Sequence, residues 1–297
     1  MTDTMDVLLD LALRPPASLP DQSRRFARFS LFDWMVCGLA GVAEPVATSL
    51  RDYLEAEGGV ETSSVMGGGL LPPRAAALAN GTTSHALDYD DTHFGHVGHM
   101  SVGVYPAALA VGEAEGASAV EVADAFLVGA EAGIRVGLRL GRGHYDRGFH
   151  QTATAGAFGA TVAAGRLMGL DRDRLRAAMG LCATRASGLK SQFGTMGKPL
   201  NAGIAASNGV ECAGLARAGL SSADDGIDGP QGFVSTHSDA PDPEAAVADL
   251  DRFLFDDIKY KLHACCHGTH AMLEALAAAS GPRSLEDVAS VSIATNS

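Results

Sequence analysis

Residues 153–168 read ATAGAFGATVAAGRLM. Apart from Arg166 the stretch is built of apolar, Gly and Thr residues, with no side suited to water. A helix formed here is buried on most sides. Its small side chains let neighbouring helices approach closely. With helices read almost everywhere else along the chain, the expected class is all-α.

The flanking sequence supplies them. Upstream, residues 106–116 and 119–140 carry helical patterns, the first with Pro106 near its start. Residues 175–189 and 201–218 follow downstream, the second ending at Gly219. Further out, residues 5–13 form an amphipathic helix that stops at Pro15-Pro16. Asp21 opens the next helix, whose apolar stripe runs through Phe26, Phe29, Leu31, Phe32, Met35 and Leu39 to Gly41. Residues 45–57 and 74–87 are two more helices, with a glycine-rich turn or strand at 65–71 between them. Residues 221–243 read mainly as loop with one short turn, and 269–279 as a last helix. The tail differs. Val288, Ser290, Val291, Ser292, Ile293 and Thr295 partly alternate, which predicts the first strand of a following domain. The expected division is a helical domain over 1–283 and the start of an α+β domain over 284–297.

The chain has 297 residues, 46% of them hydrophobic, enough for a large core and against disorder. Its formal net charge is −13, which repels nucleic acids and anionic membranes. An anionic substrate must therefore be met by a local set of Lys and His. The five cysteines are odd in number and show no framework, which reads as reduced thiols in a reducing compartment. The N-terminus lacks a basic signal-peptide region, and apolar runs break before about 20 residues. Together these predict a cytoplasmic protein that spans no membrane. No P-loop, dinucleotide fingerprint, GxSxG elbow or HExxH occurs, so no cofactor is expected and serine-hydrolase chemistry has no support.

Three segments concentrate reactive side chains. Residues 85–101, HALDYDDTHFGHVGHMS, hold four histidines and three aspartates. His93, His96 and His99 recur every three residues near Asp88 and Asp91, which suits a metal site. Gly95 and Gly98 point instead to a loop, where the histidines either cap and hydrogen-bond or exchange protons with a substrate. Residues 143–156 place His150 just before the buried helix, where free N–H groups favour an anion and Thr152 and Thr154 can assist. An ordinary cap is the alternative. Residues 187–203 put Lys198 at the head of a buried helix, where an ammonium needs an anionic ligand or partner. Lys190 reads as reaching the surface. Residues 259–271, KYKLHACCHGTHA, set Lys261, His263, His267 and His270 around Cys265 and Cys266. Adjacent cysteines leading a helix read as packed rather than nucleophilic.

Five ordered blocks resemble the MmgE/PrpD family: ARFSLFDWMVCGLAG, NGTTSHALDYDDTHFGHVGHMS, GFHQTATAGAFGATVAAGRLMGL, GTMGKPLNAGIAASNGVECAGLARAGL and KLHACCHGTHAMLEAL. Known members include 2-methylcitrate dehydratases, cis-aconitate decarboxylases and iminodisuccinate epimerases. The resemblance implies a large helical domain followed by a smaller α+β lid, a site between them, and a homodimer. It implies site roles for Asp88, Thr92, His99, His150, Lys198 and Lys261, with His99 followed by Met-Ser where the family usually has Pro-Ser. Leu262-His263 stands where a proline-tyrosine pair is common.

These residue types fit proton transfer beside a carboxylate of a small polycarboxylate, with no metal. Lysines stabilise the added negative charge of the intermediate, and a histidine moves the proton. The reading assigns His99 and His150 as the acid/base pair, Asp88 as the partner of His99, and Thr92, Lys198 and Lys261 as substrate ligands. A dehydratase-like lyase is the first expectation, with an epimerase or a decarboxylase as alternatives. A carboxylate-binding or scaffold protein and a metal hydrolase are the readings from other classes.

Overall fold

A computed structural model describes residues 3–279, 284–290 and 292–294. Helices α1 (Thr4–Ala12), α2 (Asp21–Gly41) and α3 (Pro45–Glu57) lead to a short antiparallel pair, β1 (Ser63–Ser64) and β2 (Leu70–Leu71). Then follow α4 (Pro73–Ser84), α5 (Ser101–Glu115), α6 (Ala119–Asp146), α7 (Gln151–Leu167), α8 (Arg172–Arg185), α9 (Gly197–Arg217), α10 (Phe233–His237) and α11 (His270–Ala279). The described residues are 63% helical, so the domain is all-α. Among the described residues no single helix is long and apolar enough to cross a membrane.

Helix α7 is the axis of the domain. Every residue from Gln151 to Gly165 is buried. Helices α5, α6, α8 and α9 surround it, and α4 packs on α5 and α9. The approach is closest at Gly129 of α6 and Gly159 of α7. A Cβ on either would lie 2.5 or 2.6 Å from the other's carbonyl oxygen. Helix α6 starts in a capping box between Ser118 and Glu121 and breaks at Gly141, whose φ is +70°. The long segment after α10 is clamped onto α6. Buried Arg135 bonds Glu131 at 2.8 Å and donates to the carbonyls of Ala246 and Ala248, while Glu131 accepts from Phe255 N at 2.8 Å.

Three expectations shift. Helix α5 begins at Ser101, so Pro106 sits inside it rather than near its start. The missing N–H frees the Val102 carbonyl, which faces the bare Cα of Gly81 instead. Helix α8 runs Arg172–Arg185, opened by Asp171 accepting from Arg174 N at 2.9 Å. It ends four residues earlier than the pattern suggests because the following stretch is extended, with Gly188 O accepting from His150 N at 3.0 Å. In the tail, Leu285–Asp287 is a single 3-10 turn, and 288–290 and 292–294 form no strand. Val291 and Thr295 of the expected strand lie outside the described residues.

Candidate active site

The site is assembled where the loop after α4 meets the heads of α5, α7 and α9. Asp88 adopts φ +52°, a left-handed conformation that a non-glycine residue holds only when its surroundings impose it. The imposing groups are two lysines. Lys261 Nζ donates to the Asp88 carbonyl at 2.5 Å and to Oδ1 at 2.9 Å. Lys198, one residue into α9, places Nζ 2.6 Å from Oδ2. Lys261 arrives through a pair of backbone bonds: Thr92 N donates to Lys259 O and Lys259 N to Thr92 O, both at 2.8 Å.

A second carboxylate lies deeper. Asp90 is fully buried; His85 Nδ1 hydrogen-bonds its Oδ1 at 2.8 Å, and His99 Nδ1 lies at ion-pair distance, 2.8 Å, from its Oδ2. His99 Nε2 lies 3.7 Å from Asp88 Oδ1. The ring centroids of His85 lie 4.7 Å from His99 and 6.1 Å from His150. His150 caps the N-terminus of α7 and is 2% exposed. Asn201 Nδ2 lies 3.2 Å from its Nδ1, and Phe193 packs edge-on against it at 5.0 Å. The His99 backbone N donates to Thr152 Oγ1 at 3.1 Å. The deepest members, His85, Asp90 and His150, are shut off from water, whereas Asp88, Lys198 and His99 keep partly open side chains.

Electrostatics follow from this layout. Burial disfavours the ionised Asp88, but His99, His85 and Lys198 outweigh it and hold the carboxyl below its usual range. Burial likewise opposes an ionised Asp90, and the imidazoles of His85 and His99 overcome it. Burial pushes His150 well down, with His85, His99 and Lys198 adding to the effect. His85 also falls through burial, against the pull of Asp90.

Five of the six expected residues converge: Asp88, His99, His150, Lys198 and Lys261. Thr92 is placed differently. Its Oγ1 lies 2.6 Å from His267 Nδ1, so the hydroxyl contacts the rim. The nearest carboxylate of His99 is Asp90, not Asp88, and Asp90 and His85 are the residues that sequence reasoning passed over. Their signal was the run of three aspartates in an apolar chain. The repeat of His93, His96 and His99 does not converge. His93 Nε2 lies 3.1 Å from Leu254 O, and the His96 ring is packed between Gly98 and Gly137. The metal-type group that does form among the described residues is His85, Asp88, Asp90 and His99, with ligand atoms within 4.8 Å of one another. Its carboxylate oxygens are already taken, on Asp88 by two ammoniums and on Asp90 by two imidazoles. That donor set suits an anionic ligand beside the lysines better than a cation.

Beneath the loop, Asp33 Oδ2 accepts from Asp91 N at 3.1 Å. Burial, then Asp91 and Asp90, push its carboxyl up to about 7. Because the folded value is raised, this group's contribution is fully present below the ordinary carboxylate range and is lost as pH rises towards 7. Asp33→Asn keeps an acceptor for Asp91 N and does not ionise. Its thermal midpoint is expected to exceed wild type by more at pH 8 than at pH 5. Equal gains at both pH values would refute this.

Comparison with known proteins follows the same lines. A profile of the MmgE/PrpD N-terminal domain matches residues 13–246. A cis-aconitate decarboxylase-like protein, oryM, of Aspergillus oryzae is 32% identical over 283 residues, covering 88% of this chain and 58% of its own. The cis-aconitate decarboxylase of Aspergillus terreus is 31% identical over 277 residues, with 87% and 56% covered. The Homo sapiens enzyme of that name is 28% identical over 269 residues, with 87% and 56% covered. The chain thus spans a little over half the length of these relatives. The helical fold and the match across residues 13–246 place the chain in the MmgE/PrpD family.

Proposed function

We propose that this chain forms the proton-transfer site of a cofactor-independent lyase acting on a small polycarboxylate. One observation carries the reading: a protein of net charge −13 gathers two ammoniums and three imidazoles around Asp88 and Asp90, with Asp88, Lys198 and His99 partly open to solvent. Lys198 and Lys261 bind substrate carboxylates, joining or displacing Asp88. As charge develops on the carbon beside a carboxylate, the lysines take up the extra charge on its oxygens. The relatives' names favour decarboxylation of a cis-aconitate-like acid. The bond to one carboxylate breaks, carbon dioxide leaves, and the electron pair shifts through the adjacent double bond to a carbon that takes a proton. Dehydration of a 2-methylcitrate-like acid is the second reading, since the same groups remove a proton beside a carboxylate. We take the working protein to be a cytoplasmic homodimer.

The test uses the protein that carries this chain, with cis-aconitate, 2-methylcitrate and iminodisuccinate in D2O, followed by proton NMR. Carbon dioxide release with one deuterium placed beside a remaining carboxylate supports decarboxylation, and water loss supports dehydration. Neither turnover nor solvent exchange with any of the three would sink the proposal.

A further inference from the structure

We infer that His99 alone carries the reacting proton, and that His150 is a fixed neutral N–H donor to the substrate, the two roles being set by Asp90 and Asn201. The inference rests on the function proposed above and divides the labour within that site. The sequence pairs the two histidines as equals, but the structure surrounds them with opposite partners.

Asp90 is buried between two imidazole nitrogens, one 2.8 Å from each of its oxygens, and as a carboxylate it can only accept. The Nδ1 of His99, 2.8 Å away, must therefore carry hydrogen. In the neutral ring Nε2 is then the bare, basic atom. It faces Asp88 Oδ1 at 3.7 Å, so an imidazolium at His99 is flanked by two carboxylates. The other groups that face it are His85, on the far oxygen of Asp90, the carboxyl of Asp91, the imidazoles of His96, His150 and His267, and the two lysines, each paired with Asp88. His99 is thus built to gain and lose a proton at Nε2.

At His150 the logic reverses. Asn201 Nδ2 also lies 3.3 Å from the Leu189 carbonyl, which can only accept. That contact fixes the amide with its NH2 towards His150, so Nδ1 of His150 accepts and Nε2 holds the hydrogen. No carboxylate pairs directly with this ring. It is buried at the positive end of α7, among His85, His99 and Lys198, with Asp88 as its more distant opposing charge. A cation is disfavoured there, and a neutral donor is held ready. Phe193 packs against both the His150 ring, at 5.0 Å, and Lys198 Nζ, at 5.5 Å, so the two donors share one wall. A neutral imidazole that polarises a substrate oxygen without giving up its proton is an established catalytic device.

In the reaction, His99 delivers its Nε2 proton to the carbanion formed by decarboxylation; in dehydration it takes a proton from the carbon and returns it to the departing hydroxyl, which leaves as water. His150 hydrogen-bonds the charged carboxylate oxygen throughout. Asp90 and Asn201 are positioning residues, because each acts through the tautomer of a histidine.

Nitrogen-15 NMR of the wild-type imidazoles tests the tautomers directly. The expected result is hydrogen on Nε2 of a neutral His150 from pH 5 to 8, and on Nδ1 of the neutral His99 ring. A doubly protonated His150 in that range, or hydrogen on Nδ1 of the neutral His150 ring, would overturn the inference. Kinetics supply the second arm. His150→Gln keeps an N–H donor and is expected to lower kcat by about 10–100-fold, whereas His99→Gln removes the proton carrier and is expected to lose about 10⁴-fold. Equal losses would overturn it. Asn201→Asp is expected to move the His150 proton to Nδ1 and to lower kcat about 100-fold with KM little changed. An unchanged tautomer or rate in that variant would remove Asn201 as the controlling residue. Wild-type protein that shows these tautomers but turns over no polycarboxylate removes the proposed function and the roles with it. Wrong tautomers with intact turnover remove this inference alone.

Discussion

Lys198→Ala is expected to lower kcat/KM for the polycarboxylate substrate by about 10³-fold while leaving the fold in place. The ammonium lies 2.6 Å from Asp88 Oδ2 and its side chain is 17% exposed, so it works in a partly dried pocket. A unit charge about 4 Å from a substrate carboxylate, at an effective dielectric of about 20, contributes roughly 4 kcal/mol, which is of that size. The fold is spared because Lys198 lies in the first turn of α9, outside its buried face, and Lys261 still bonds both the carbonyl and Oδ1 of Asp88. Steady-state kinetics and a thermal melt decide it. A loss under threefold, or a collapse of the melt, would remove Lys198 from the site.

The largest effect on stability is expected at Gly129→Leu. A Cβ there would come 2.5 Å from Gly159 O and 2.9 Å from Ala163 Cβ. The first obstacle is backbone of α7, which cannot yield without parting the two helices. A loss above about 4 kcal/mol is expected, enough to leave the protein unfolded or insoluble. Gly214→Ala in α9 is the control. Nothing lies within 4 Å of its added Cβ, and a helix-interior alanine is expected to stabilise by about 0.5–1 kcal/mol. Chemical denaturation of both variants separates the readings, and similar midpoints would contradict the close contact of α6 and α7.

The helices were legible in the sequence because packing and patterning agree there. Small residues in α7 and α9 leave no doubt about burial, and Asp21 and the Gly58-Gly59 pair mark ends by local chemistry. Pro106 misled because a missing N–H can be accommodated inside a helix when a bare glycine backbone covers the freed carbonyl. The site was legible in its residue types and less so in its wiring. The three-residue spacing of His93, His96 and His99 carries geometric meaning only on a helix, and here it falls on a looped segment with turns at Phe94–Val97. The pairing of His99 with Asp90 rather than Asp88 depends on the left-handed φ of Asp88. That angle is imposed by lysines 110 and 173 positions away, and no local pattern records it.

Asp88 has a further consequence. Held against both lysines, it is a tethered carboxylate at high effective concentration, and each ammonium already has an oxygen partner from within the chain. On the proposed function, chloride or a monocarboxylate would have to displace this built-in competitor with a single point of attachment, which disfavours both. A ligand bearing several carboxylates makes simultaneous contacts that the tether cannot match. On the proposed function, Asp88 would reclose the ion pairs whenever such a ligand leaves, and the site would sort the small anions of its surroundings by the number of carboxylates they carry.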